Sequence, residues 1–285
     1  MNKLKEKGMQ FLFLIAACVS ILAVFLICFF MFANGIPAIA KIGPVKFLFG
    51  TIWRPNNDLY GIFPMIVASI YVTGGAILVG VPIALFTSVF MARYCPKKIY
   101  RPLKSGIELM AGVPSIVYGF FGLVLLVPLI RTLFGGTGSS MLAAVLLLGI
   151  MILPTIIGVT ESAIRSVPES YYEGSLALGA TKERSILCVI LPAAKSGILA
   201  AVVLGIGRAI GETMAVIMVA GNQPRMPEGL LKGVRTMTAK IVTEMGYASG
   251  LHREALIATG VVLFVFILII NLSLSLLNRR AEHAD

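Results

Sequence analysis

Six stretches of this chain are too apolar and too long to sit comfortably in a water-soluble core: about Phe11–Ala33, Phe63–Met91, Gly106–Ile130, Met141–Ala163, Ala193–Ala220 and Ala255–Leu277. A helix of about 20 such residues crosses the hydrocarbon of a bilayer. Lipid offers the backbone no hydrogen-bond partner, so each stretch is expected to be helical. Composition agrees, since 58% of residues are hydrophobic and only 13% charged, against about 25% charged in soluble domains. The expected class is an all-α membrane protein with six transmembrane helices and both termini on one side. The first run follows Lys3, Lys5 and Lys7, as in a secretory signal, but it exceeds the roughly 7–15 residues of a signal core. It is therefore read as a helix. The divisions expected are an N-terminal helix and outer loop over 1–62, and a five-helix core over 63–278 with a loop at about 168–192. A tail follows at 279–285.

A net charge of +11 would point to nucleic acid in a soluble chain. With this hydropathy, lysine and arginine are better used to hold loops on the cytoplasmic side. One set of loops carries thirteen: Lys3, Lys5, Lys7, Arg93, Lys97, Lys98, Arg101, Lys104, Arg165, Lys182, Arg184, Arg279 and Arg280. The longer alternate loops carry nine: Lys41, Lys46, Arg54, Arg131, Arg225, Lys232, Arg235, Lys240 and Arg253. The richer, shorter loops are expected to face the cytoplasm, and both termini with them. Cys18, Cys28, Cys95 and Cys188 form no C-x-x-C pair, so neither a disulfide framework nor a metal site is expected.

Two polar features interrupt this pattern. Inside the fifth stretch, Arg208 and Glu212 stand one helical turn apart in GIGRAIGETM. A charge at the bilayer centre costs about 2.5–3.5 kcal/mol on insertion scales, so each needs a partner or a watery cavity. Two readings stay open. The pair could neutralise itself on one helix face. Alternatively it lines a path, with Arg208 offering forked donors to an oxyanion and Glu212 accepting a hydrogen bond from the P–OH that phosphate, unlike sulfate, still carries. Interruptions at Gly112-Val113-Pro114-Ser115 and Leu153-Pro154-Thr155 would suit an anion path, because broken helices are tolerated where they face protein or a cavity.

The other feature is the polar loop EGSLALGATKERSILCVILP, Glu173 to Pro192. Gly179 is expected to supply a left-handed corner between two short helices, and Pro192 to sit where the next helix begins. On the opposite side, Trp53 and Tyr60 read as interfacial anchors or as a contact for an external partner. Leu230, Val234, Met237, Ile241 and Met245 recur at helical spacing around Lys232, Arg235 and Lys240. That pattern predicts an amphipathic surface helix whose cations steer an anion.

The Glu173 to Pro192 loop resembles the EAA loop of ABC importer permeases, with Gly174-Ser175 for Ala-Ala and Val189 for Ile. Together with GIGRAIGETMAVIMVAGN (205–222), ELMAGVPSIVYGFFGL (108–123) and WRPNNDLYGIFPMI (53–66), the chain from about Trp53 to Asn278 resembles the PstC-type permease subunits of bacterial phosphate ABC transporters. After R-A-x-G-E-T the sister PstA subunits continue Ala-Pro, where this chain has Met214-Ala215-Val216. The resemblance implies a type I importer permease (MetI-like) fold in the bacterial inner membrane. It implies a PstA-type permease partner, a PstB-type ATPase dimer and a PstS-type phosphate-binding protein, with membrane lipid around them and no nucleic acid. Arg208, Glu212 and Thr213 would lie on the phosphate path. Glu173, Gly174, Ser175, Gly179, Ala180, Leu191 and Pro192 would meet the ATPase. No cofactor is expected on this chain; ATP and Mg would belong to the partner, since no G-x-x-x-x-G-K-[ST] loop is present and no catalytic set is found. An ion- or proton-coupled secondary anion transporter is the competing expectation.

Overall fold

The computed structural model describes residues 3–282. It is helical apart from one two-stranded antiparallel hairpin, β1 (Trp53–Arg54) with β2 (Leu59–Tyr60). The first helix, α1 (Lys3–Ile42), outruns the expected 11–33, because the sequence beyond Ala33 stays apolar and its Pro37 is accommodated within the helix. A short α2 (Pro44–Phe49) leads into the hairpin. Then come α3 (Phe63–Tyr94) and α4 (Lys97–Gly112), with α5 (Ser115–Phe134) and α6 (Met141–Ser166) after them. Next, α7 (Glu169–Ala177) and α8 (Lys182–Ala193) form the polar loop, and α9 (Lys195–Gly211), α10 (Met214–Val219), α11 (Met237–Met245) and α12 (Gly250–Glu282) complete the chain. The tail expected from 279 is helical as far as Glu282; residues 283–285 lie outside the described ones.

Helices α3 and α6 make the most extensive packing in the molecule. Ala68, Val72 and Ala76 recur at helical spacing on α3 and meet Val145, Leu148 and Met151 of α6. In lipid no hydrophobic driving force joins two apolar helices, so close backbone approach and dispersion must do it. Gly80 shows how close that approach is: a Cβ there would stand 2.9 Å from the Gly149 carbonyl and 2.8 Å from Ile152. Ile156 and Ala201 extend this core onto α9. On the other flank α1 packs along α12, with Phe32 edge-on to Phe264 at 5.8 Å. The bulk of α1 from Phe11 to Phe30 is left bare, as a lipid-facing helix should be.

Three expectations about the spans need correction. The stretch 106–130 is not one helix: Pro114 forces Val113 into extended backbone (ψ 126°), so α4 ends and α5 starts anew. Pro154, by contrast, interrupts nothing; α6 runs through it from Met141 to Ser166. The stretch 193–220 is bent by 69° between α8 and α9 and broken again at Glu212–Thr213. Pro192 consequently lies in the last turn of α8, short of the bend, instead of opening the next helix.

Candidate functional site

The break after Gly211 decides what Arg208 and Glu212 can do. Glu212 adopts extended backbone (ψ 129°) at the end of α9, so the two residues do not share a helix face and form no ion pair. Self-neutralisation, the first of the two open readings, is thereby overturned. The Glu212 carboxylate instead caps α10, its Oε1 accepting from the Thr213 and Ala215 amides at 3.1 and 3.2 Å. A carboxylate at a helix N-terminus satisfies amides that have no intrahelical acceptor. Its Oε2 makes no bond within the described residues. The Thr213 Oγ1 donates to the Gly211 carbonyl at 3.2 Å.

Arg208 sits in the last turn of α9 and donates from Nη1 to Thr155 Oγ1 on α6 at 2.9 Å. Among the described residues no carboxylate pairs with it. The buried face of α9 runs through Ala201, Gly205 and Ala209. Arg208 lies off that face, half-buried, in line with Ala200, Leu204 and Gly211, all exposed. An arginine held on one side and open on the other, along a stripe that this chain leaves uncovered, is poised to grip an oxyanion with its remaining donors.

The polar loop folds as two helical pieces around Gly179, whose φ of +85° is the left-handed corner expected there. Thr181 caps α8, accepting the Arg184 amide at 3.3 Å. Of the residues singled out, Glu173, Gly174, Gly179 and Pro192 are exposed, and Ser175, Ala180 and Leu191 are half-buried. The segment is pinned from above rather than free. Arg93 at the end of α3 donates to Glu169 Oε2 at 2.8 Å and lies 5.7 Å over the Tyr172 ring, while Lys182 covers Tyr94 at 4.6 Å. Leu178 at the corner, absent from the sequence reading, is 92% exposed. A large apolar side chain that bare beside a rigid turn is a natural knob for a partner's groove.

Two charged nodes also escaped the sequence reading. On the side of the polar loop, buried Glu161 of α6 accepts from Lys104 Nζ at 2.7 Å, Tyr100 Oη at 2.6 Å and Arg165 Nε at 2.8 Å. It ties α4 to α6. On the other side, buried Glu244 of α11 takes Lys240, Arg235 Nη1 at 3.1 Å, His252 Nε2 at 2.9 Å and Trp53 Nε1 at 3.1 Å. The Lys240 ammonium lies 4.3 Å over the Trp53 ring. Trp53 and Tyr60 are thus buried protein contacts, 7% and 4% exposed, and not headgroup anchors. The expected surface helix from Leu230 is only Met237–Met245, and Lys240 is 1% exposed, so it steers nothing.

Residues 80–283 match the family described as binding-protein-dependent transport system inner membrane component. A probable ABC transporter permease protein, YqgH of Bacillus subtilis, is 40% identical over 80% of this chain and 77% of its own. The phosphate transport system permease protein PstC of Mesorhizobium japonicum is 33% identical over 84% and 80%. Among solved structures, an inward-facing methionine transporter, MetNI, superposes with a TM-score of 0.64 at 21% identity, covering 81% of this chain and 99% of that one. A bacterial alginate ABC transporter chain reaches a TM-score of 0.67 at 17% identity over 98% of each chain. At such identities the structures speak for the fold alone, that of type I importer permeases. The chain belongs to the inner membrane permease components of binding-protein-dependent ABC transport systems, and within them to the PstC type.

Proposed function

We propose that this chain is the transmembrane permease subunit of an ATP-driven phosphate importer. It forms the phosphate path together with a second, PstA-type permease. Arg208 carries the reading: a guanidinium with no carboxylate partner, open on an uncovered stripe of α9, with a carboxylate oxygen of Glu212 free nearby in sequence. Such a charge facing lipid alone would be costly, so a second permease or an aqueous lumen must cover it. Relatives named for phosphate transport support phosphate as the ion. Glu212 Oε2 accepts a hydrogen bond from the remaining P–OH, and Thr213 holds the backbone corner that presents it. A PstS-type protein delivers phosphate on the Trp53 side. The termini and the Glu169–Ala193 segment face the cytoplasm, where a PstB-type ATPase dimer holds ATP and Mg and pushes on α7.

Energy therefore enters from another chain. In vesicles carrying the full assembly and the binding protein, phosphate accumulation should require internal ATP. Accumulation at the full rate on a proton gradient after ATP depletion would establish the secondary-transporter alternative instead.

The coupling role makes a sharper prediction at Gly179. A Cβ there would meet nothing within 4 Å in this chain, so Gly179→Leu strains the left-handed backbone by about 1–2 kcal/mol without a clash of its own. The variant should insert and hydrolyse ATP in the assembly yet lose at least tenfold in uptake per ATP. Unchanged coupling would remove the corner from the ATPase contact.

A further inference from the structure

A cavity of about 710 Å³ lies where the end of α3, the start of α4 and the end of α6 meet, on the side of the polar loop. Its walls carry Arg93, Lys97, Lys98, Tyr100, Arg101 and Arg165. Five cations on one cavity repel one another unless something negative joins them. Two are answered from within the chain, Arg93 by Glu169 and Arg165 by Glu161, and Glu161 is shared with Lys104. Lys97, Lys98 and Arg101 have no carboxylate within 4 Å among the described residues. The Arg93 Nε is buried and donates to nothing, although that side chain is only 11% exposed. The cavity also receives the start of α4, where Pro96 offers no side-chain cap, so the positive end of a 16-residue helix points the same way as the cations.

The orientation rule explains why lysine and arginine gather on this side, but not why five of them line one concavity. We propose that this cavity is a binding site for a phosphate group. Arg93 and Arg101 supply planar donors, Lys97 and Lys98 point charges, and the first amides of α4 complete the cradle. The headgroup of an anionic phospholipid fits the charge of the site and its place at the end of the membrane-spanning helix α3. Free phosphate offers the same oxygens. Arg93 gives the site a consequence, because the same guanidinium holds Glu169 at the first turn of α7. Occupancy and the position of the polar loop share one side chain. That link rests on the reading that the loop meets an ATPase; the binding site does not.

The test uses the full chain in nanodiscs of phosphatidylcholine, with or without phosphatidylglycerol. Native mass spectrometry reads retained lipid, and equilibrium dialysis with radiolabelled inorganic phosphate reads the ion. A surface cation contributes roughly fivefold to binding an anionic headgroup. Arg101→Gln should weaken retention about fivefold, and Lys97→Gln/Lys98→Gln/Arg101→Gln about a hundredfold, while Arg208→Gln leaves it unchanged. Retained phosphatidylglycerol that millimolar phosphate does not displace assigns the site to lipid. Phosphate bound in phosphatidylcholine alone, and lost in the triple variant, assigns it to the ion. Retention of neither probe above background, or equal retention by Arg101→Gln and wild type, overturns the proposal. The single variant decides the matter if the triple one fails to insert. Loss of phosphatidylglycerol retention in Arg208→Gln would place the site on the transport path instead, which also overturns it.

Discussion

Arg208→Gln is expected to lower phosphate uptake by at least a hundredfold while leaving the assembly with its ATPase intact. Glutamine is close in reach and keeps a donor for Thr155, so the packing of α9 on α6 survives. What disappears is the charge and the fork. Two charge-assisted hydrogen bonds to a phosphate are each worth about 1.5–3 kcal/mol, and at 1.4 kcal/mol per decade their loss exceeds a hundredfold. Arg208→Lys should recover part of the rate, because an ammonium restores the charge but not the paired geometry. Thr155→Val probes the tether separately: it removes the one side-chain bond that fixes the guanidinium and should cost roughly three- to tenfold. Uptake at the wild-type rate in Arg208→Gln would take the residue off the path, and a variant that no longer assembles would make it a structural one.

These residues also mark where the sequence was readable. Length and apolarity are summed over some twenty positions, so six membrane stretches survive local exceptions, and Gly179 and Pro114 act through their own backbone chemistry. Each of those signals is local. The break at Glu212 has no such sign: Gly211-Glu212-Thr213 contains no proline, and the helix ends because the Glu212 side chain satisfies the next helix's amides. Periodicity there predicted a continuous face and a self-neutralising pair as one option, which the chain does not make. Lys240 was misplaced for a related reason. Helical spacing put it among surface cations, but it is buried against Glu244 and the Trp53 ring, in a node that Glu244 draws from three separated segments: Trp53 in the hairpin, Arg235 before α11 and His252 on α12. Glu161 was passed over inside an apolar run although an acid there demands a partner by the same cost argument applied to Arg208. That signal was present; its partners Tyr100 and Lys104 stand 61 and 57 residues earlier in the chain, and only the packing of α4 on α6 brings them to it.

The Glu244 node should be the most stability-sensitive position outside the membrane spans. Glu244→Ala leaves Lys240 and Arg235 as neighbouring, largely buried cations with no anion between them. Breaking a buried pair from one side costs about 3–5 kcal/mol, so the unfolding midpoint in detergent should fall by roughly 10 °C. Glu244→Gln, which keeps the acceptor for Trp53, should fall less. Titration separates this from a simple packing loss. Burial pushes the Lys240 ammonium down to about 8, against the pull of Glu244. Burial by itself would raise the Glu244 carboxyl, but the bonds from Lys240 and His252 outweigh it and hold it below the usual carboxylate range. The acid's contribution is thus complete above its ordinary pKa and is lost as pH falls through the lower folded one. The lysine works in the opposite sense: from about pH 8 to its unfolded pKa the unfolded chain binds the extra proton, so its share of stability rises with pH. Wild type should accordingly lose stability on acidification below about pH 4.5, and Glu244→Ala should lack that part of the slope. Lys240→Met should flatten the alkaline limb and, by removing a bond that holds the Glu244 carboxyl down, make the acid limb shallower as well. A Glu244→Ala protein that melts within a degree of wild type, with the same acid limb, would mean that Trp53 and the hairpin are held by apolar packing and not by this carboxylate.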